Sequence, residues 1–242
     1  MTDESAQQSQ QQEAKPESLL VNLLFNILLP TLILTKLSGE QYLGTTNGIL
    51  VALAFPIGYG LKDAVKNRKL NLFSALGVIS IILTGGISLL GLAPKYLAIK
   101  EAAVPAIFGL ATLLSLYTPY PLVKTFIYND KILDTTAIEQ ALQHRGTRHP
   151  FELRLRNASW FVAASFFLSS ALNYILAITI VTASPGTVEY NEQLGKMTAL
   201  SFPVIALPAT AVLMAAMFYL FRGITSLTGL SLENIIKHKE KA

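Results

Sequence analysis

Residues 199–221 read ALSFPVIALPATAVLMAAMFYLF, a run without a single charged residue. Its length decides the class of the chain, because about 20 apolar residues cross the ~30 Å hydrocarbon core of a bilayer as a helix. Comparable runs occupy 18–37, 44–61, 72–92, 101–118 and 158–182. None alternates polar and apolar residues as barrel strands do. A spanning segment must also satisfy its own backbone, so each run reads as a helix. The chain is 52% apolar and 14% charged, against roughly 25% charged in a soluble domain. The sequence therefore predicts an all-α, polytopic transmembrane bundle of six helices over 18–221.

The flanks fit that frame. Residues 1–17, MTDESAQQSQQQEAKPE, are polar and acidic and read as a disordered tail. They lack the basic leader and short apolar region of a signal peptide. Of the 19 Lys and Arg, an N-in topology leaves only Lys36, Lys95, Lys100 and Lys196 outside. The rest are Lys15 and clusters at 62–69, 124–156 and 222–241. The positive-inside rule then predicts both termini in the cytoplasm. The net charge of +4 reflects this bias and suits anionic lipid headgroups, with no reason to infer nucleic-acid binding. Tyr42, Tyr96 and Tyr190 fall at the expected outer boundary. Tyr120, Trp160 and Tyr219 fall at the inner one, as an aromatic belt.

Proline lies inside the first, second and sixth runs, at Pro30, Pro56, Pro203 and Pro208, and each position invites a kink. Ala52-Leu53-Ala54-Phe55-Pro56-Ile57 resembles Ala199-Leu200-Ser201-Phe202-Pro203-Val204 at an offset of 147. That offset also pairs Asn26 with Asn173 and Gly48 with Gly195. Helices one–two and five–six are thus candidates for a parallel repeat, an arrangement found in transporters.

The longest polar stretch is 119–157. Thr136 and Glu139 have the spacing of a capping box, and Gly146 suits a helix end, so a short helix is expected near 137–145. Phe151, Leu155 and Ala158 then share a face, read as an interfacial lead-in to helix five with Arg154 and Arg156 at the headgroups. In the basic tail, 222–242, Ser231 is the expected N-cap of an amphipathic helix on the inner surface.

No zinc-helix, phosphate-loop, dinucleotide or nucleophile-elbow pattern is present. There is no cysteine, so thiol chemistry is excluded. His144 and His149 sit among arginines, which repel a metal cation. The expectation is no enzyme, no metal and no cofactor. The deep polar residues are the amides Asn22, Asn26 and Asn173, suited to interhelical hydrogen bonds or to lining a solute path. Gly85 and Gly86 offer a surface for close packing, expected against helix five near Asn173. Lys36, Lys95, Lys100 and Glu101 are candidates for an outer polar mouth. Lys100 and Glu101, as sequence neighbours, are not expected to face each other.

Gly85-Gly86-Ile87-Ser88-Leu89, followed by Tyr96-Leu97-Ala98-Ile99-Lys100 and Pro105, resembles the third-to-fourth helix region of the bacterial intracellular septation protein A family. Arg156, Trp160, Phe166-Phe167 and Leu172-Asn173 resemble its next helix. The chain is also similar to uncharacterised six-helix bacterial membrane proteins. The resemblance implies a non-enzymatic inner-membrane protein in cell-envelope maintenance or septation, acting through envelope or division partners. The alternative reading is a small-solute transporter or channel.

Overall fold

The computed structural model describes residues 21, 23–67, 72–118, 121–126, 128 and 133–236, with the backbone only for 63–67, 72–78 and 125–126. The tail 1–17, Asn22, Tyr120 and the basic end 237–242 lie outside the described residues. The elements are α1 (Leu24–Lys36), α2 (Gly44–Asn67), α3 (Leu72–Leu89), α4 (Pro94–Ser115), α5 (Leu122–Phe126), α6 (Thr135–His144), α7 (Arg148–Ile180), α8 (Val188–Thr228) and α9 (Leu232–Ile235).

Among the described residues four helices are long and apolar enough to cross a membrane: α2 over Gly44–Lys62, α4, α7 and α8. Among the described residues α1 and the stretch Ile79–Leu89 of α3 are apolar but shorter. Of the six expected spans, four are thus matched by helices of sufficient length among the described residues. α7 runs for 33 residues and α8 for 41, or about 50 and 60 Å at 1.5 Å per residue. Both outrun a ~30 Å hydrocarbon core.

Proline shapes two of these helices through a defined mechanism. Leu24–Leu28 in α1 and Phe202–Ala206 in α8 are π-helical turns, each followed by a Leu-Pro pair. Pro30 and Pro208 have no N–H to give the carbonyl four residues back, and their rings crowd it. The residue before each proline bonds one position further instead, Leu29 to the Leu24 carbonyl and Leu207 to the Phe202 carbonyl. Pro56, by contrast, lies inside an unbroken α-helix. Residue 61 is leucine, so the second proline that widens α8 beyond Pro203 has no counterpart there. The matched Phe-Pro pairs of the candidate repeat therefore differ in backbone form.

The chain divides into two compact units. The first holds Ile180–Ala199 and the described residues up to Tyr96. In it Phe25 of α1 lies 6.2 Å from Phe55 and 5.8 Å from Tyr59 of α2, ring to ring. The start of α8 touches all three other helices. A Cβ at Gly195 would come within 2.9 Å of Thr35 and 3.2 Å of the Thr31 carbonyl, both on α1. The buried Asn191 donates through Nδ2 to the Thr45 carbonyl of α2 at 2.8 Å. The Tyr190 hydroxyl lies 3.0 Å from Ser88 Oγ on α3.

The second unit holds Leu97–Thr179 and the described residues from Leu200 onward. α4 and α7 meet where Phe108 stacks on Phe166 at 5.5 Å and Ser170 donates to the Ala102 carbonyl at 2.8 Å. α7 and α8 meet where Ser165 donates to the Ala209 carbonyl at 2.7 Å. Serine bonds of this kind substitute for the missing hydrophobic drive between helices in lipid.

Candidate functional site

Beyond its spanning helices the second unit carries a folded cap. Asp134, rather than Thr136, is the N-cap of α6, its carboxylate accepting from Ala137 N at 2.9 Å. Glu139 is thereby freed to face Tyr128, whose hydroxyl donates to it at 3.3 Å, and Arg148, at 3.3 Å. Gly146, at φ +65°, closes α6 as the sequence expects. Thr147 N bonds the Leu142 carbonyl and Gly146 N bonds the Gln143 carbonyl, the paired bonds of a Schellman end.

Ile138 and Leu142, one turn apart on α6, are fully buried. They join Phe151, Leu155 and Ala158 of α7, Ala216, Leu220 and Ile224 of α8, Leu133, and Ile235 of α9 in one apolar cluster. The expected interfacial lead-in is therefore corrected. The Phe151–Leu155–Ala158 face exists, but protein covers it. The C-terminal helix is corrected in the same way. Ser231 does cap it, accepting from Asn234 N at 3.4 Å. Ile235, however, is buried in the cap, with Asp134 N donating to its carbonyl at 2.8 Å. Thr147 ties the cap to the end of α8 by donating to the Leu227 carbonyl at 3.0 Å. The outward side of α6 is polar, with Thr136, Gln140 and Gln143 exposed at helical spacing.

The remaining candidates fall as follows. Lys36 and Lys95 are exposed in the first unit, Lys95 lying 5.4 Å from the centre of the Tyr96 ring. In the second unit Lys100 and Glu101 do pair, Nζ to Oε1 at 2.6 Å, against the expectation for sequence neighbours. The four-carbon lysine stem is long enough to fold back, and the burial of Lys100 favours a carboxylate over lipid or void. Asn26 lies half-buried in the π-turn of α1. Asn173 donates to the Ser169 carbonyl of its own helix at 2.8 Å rather than to a neighbouring one. Gly85 packs close to Leu53 of α2, and a Cβ at Gly86 would meet nothing within 4 Å. His144 and His149 are exposed, and the described residues contain no cluster suited to a metal.

Sequence reasoning missed the buried contacts of Tyr190 and Asn191. Tyr190 is fully buried, so it does not belong to an aromatic belt. Asn191 Oδ1 has no hydrogen-bond partner among the described residues. No family model, curated protein or solved structure matches the chain. Helix length and composition make it a polytopic, multi-pass membrane protein.

Proposed function

We propose that this protein is a non-enzymatic component of a bacterial inner membrane that presents its cap to a protein partner in cell-envelope maintenance or septation. The cap and both termini face the cytoplasm in this reading, on the strength of the uneven distribution of Lys and Arg. The observation that carries it is the closure of the cap core. Segments far apart in the chain bury Leu133, Ile138, Leu142, Leu220, Ile224 and Ile235 against one another. α6 then offers a rigid polar stripe, Thr136, Gln140 and Gln143, directed away from that core. The septation assignment rests on the residues around Gly85-Gly86 and Trp160 alone. A photoreactive residue at Gln140 or Gln143 in living cells tests the reading. Crosslinks to a discrete envelope or division protein are expected, and crosslinks only to lipid count against it.

A second reading is favoured by the π-turns. Leu24–Leu28 and Phe202–Ala206 break the regular α-helical bonding of α1 and α8, and broken helices form the substrate and ion sites of transporters. A solute or ion flux in proteoliposomes that Pro30→Ala or Pro208→Ala abolishes would favour transport.

A further inference from the structure

The groove between α7 and α8 at the level of Tyr219 gathers cationic and aromatic side chains with no ion-paired acid among the described residues. Arg154 places its guanidinium 4.6 Å from the centre of the Tyr219 ring. Asn157 Nδ2 donates to the Tyr219 hydroxyl at 3.2 Å, and Phe161 packs edge-on at 5.5 Å from the same ring. Arg154, Asn157 and Phe161 form one stripe of α7 at spacings of three and four. Arg222 shares its face of α8 with Tyr219, one turn away, and with Phe218. Asn157 and Arg222 are exposed.

Two features distinguish this groove from ordinary surface. Among the described residues neither Arg154 nor Arg222 makes an ion pair, whereas Arg148, two turns earlier on α7, is held by Glu139 and Glu152. Further from the cap, the same faces expose Phe161 at 44% and Phe218 at 65%. Apolar rings left open at this level suit acyl chains, and unpaired arginines one turn toward the cap suit a phosphodiester. A protein or nucleic-acid partner would leave that aromatic shelf unmatched.

We infer that Arg154, Asn157 and Arg222 form a binding site for the headgroup of an anionic glycerophospholipid, whose acyl chains lie along Phe161 and Phe218. The inference rests on the membrane reading alone and holds whether or not the cap has a protein partner.

The test uses the full chain in a mild detergent, titrated with phosphatidylglycerol and separately with phosphatidylcholine, with bound lipid counted by native mass spectrometry. Wild-type protein retains phosphatidylglycerol in preference to phosphatidylcholine. Arg222→Gln weakens that retention about fivefold, and Arg154→Gln with Arg222→Gln about 30-fold. Arg148→Gln leaves it unchanged. Equal retention of the two lipids by wild-type protein overturns the proposal, as does undiminished retention of phosphatidylglycerol by the double variant. Inorganic phosphate binding as tightly as the lipid would assign a soluble-anion site instead. Arg154 packs against Gly223; if the double variant fails to fold, the exposed Arg222→Gln variant decides the matter alone.

Discussion

Leu142→Ala tests whether α6 is held by the cap core or only rests near it. The side chain is fully buried. Its burial contributes about 2–3 kcal/mol, and a cavity left behind raises the cost of truncation to roughly 3 kcal/mol. α6 has ten residues, too few to remain helical alone in water. Ile138 and Leu142 are its two buried residues, so removing one releases much of what orders it. A loss of about 3 kcal/mol corresponds to roughly 100-fold faster opening of its amides. Hydrogen exchange read by mass spectrometry, on protein in lipid nanodiscs, measures this directly. Peptides covering 135–144 should exchange roughly 100-fold faster, while those covering 165–180 stay unchanged. Gln143→Ala, on the exposed side of the same helix, serves as the control. If Leu142→Ala leaves exchange over 135–144 within about threefold of wild type, the core does not hold α6, and the platform it forms is not rigid.

Three further substitutions follow from the same contacts. Gly229 ends α8 at φ +72° with the Arg145 guanidinium against it; Gly229→Ala should cost about 2 kcal/mol in thermal or denaturant stability, and Arg145→Ala in that background should recover only the steric share. Gly195→Val drives a side chain into Thr35 and the Thr31 carbonyl and should sharply lower the yield of folded protein, whereas Gly86→Ala, facing open space, should hold or gain up to about 1 kcal/mol in helix propensity. Tyr190→Phe and Ser88→Ala should each cost about 1 kcal/mol in unfolding measurements, and the double variant should cost less than their sum because one hydrogen bond is shared.

Local rules made part of this molecule legible in its sequence. Apolar runs without alternation identify membrane helices, because lipid offers no partner to an open backbone. Ser231 and Gly146 were readable because a cap depends on a few adjacent residues. The face formed by Phe151, Leu155 and Ala158 was readable too, since spacing tells which side of a helix is apolar. Spacing does not tell what covers that side. The covering residues Leu220, Ile224 and Ile235 lie more than 60 positions away, and lipid or protein would demand the same pattern. Tyr190 failed for a related reason: an aromatic at a helix end looks alike whether it faces headgroups or Ser88, 102 positions distant. Lys100 and Glu101 failed because the rule for facing positions describes Cβ directions, and a lysine stem can turn back across them.

The length of α7 explains why a cap should be present at all. From Trp160 to Ile180 the helix spans about 30 Å, which fills the hydrocarbon core. With that stretch in the core, its first turns would extend beyond the bilayer while still carrying Phe151 and Leu155. Left bare, those side chains would present apolar surface to water, at a cost of about 1.5–3 kcal/mol each. α6 and α9 remove that cost by covering them, together with Leu220 and Ile224 of α8. The same turns of α8 thus serve two surroundings: Leu220 and Ile224 lie in the cap core, Arg222 faces the groove, and Tyr219 packs against both. A headgroup held at Arg222 would restrain the helix end on which the cap is built, so lipid and cap share one structural element, with Tyr219 packed between them.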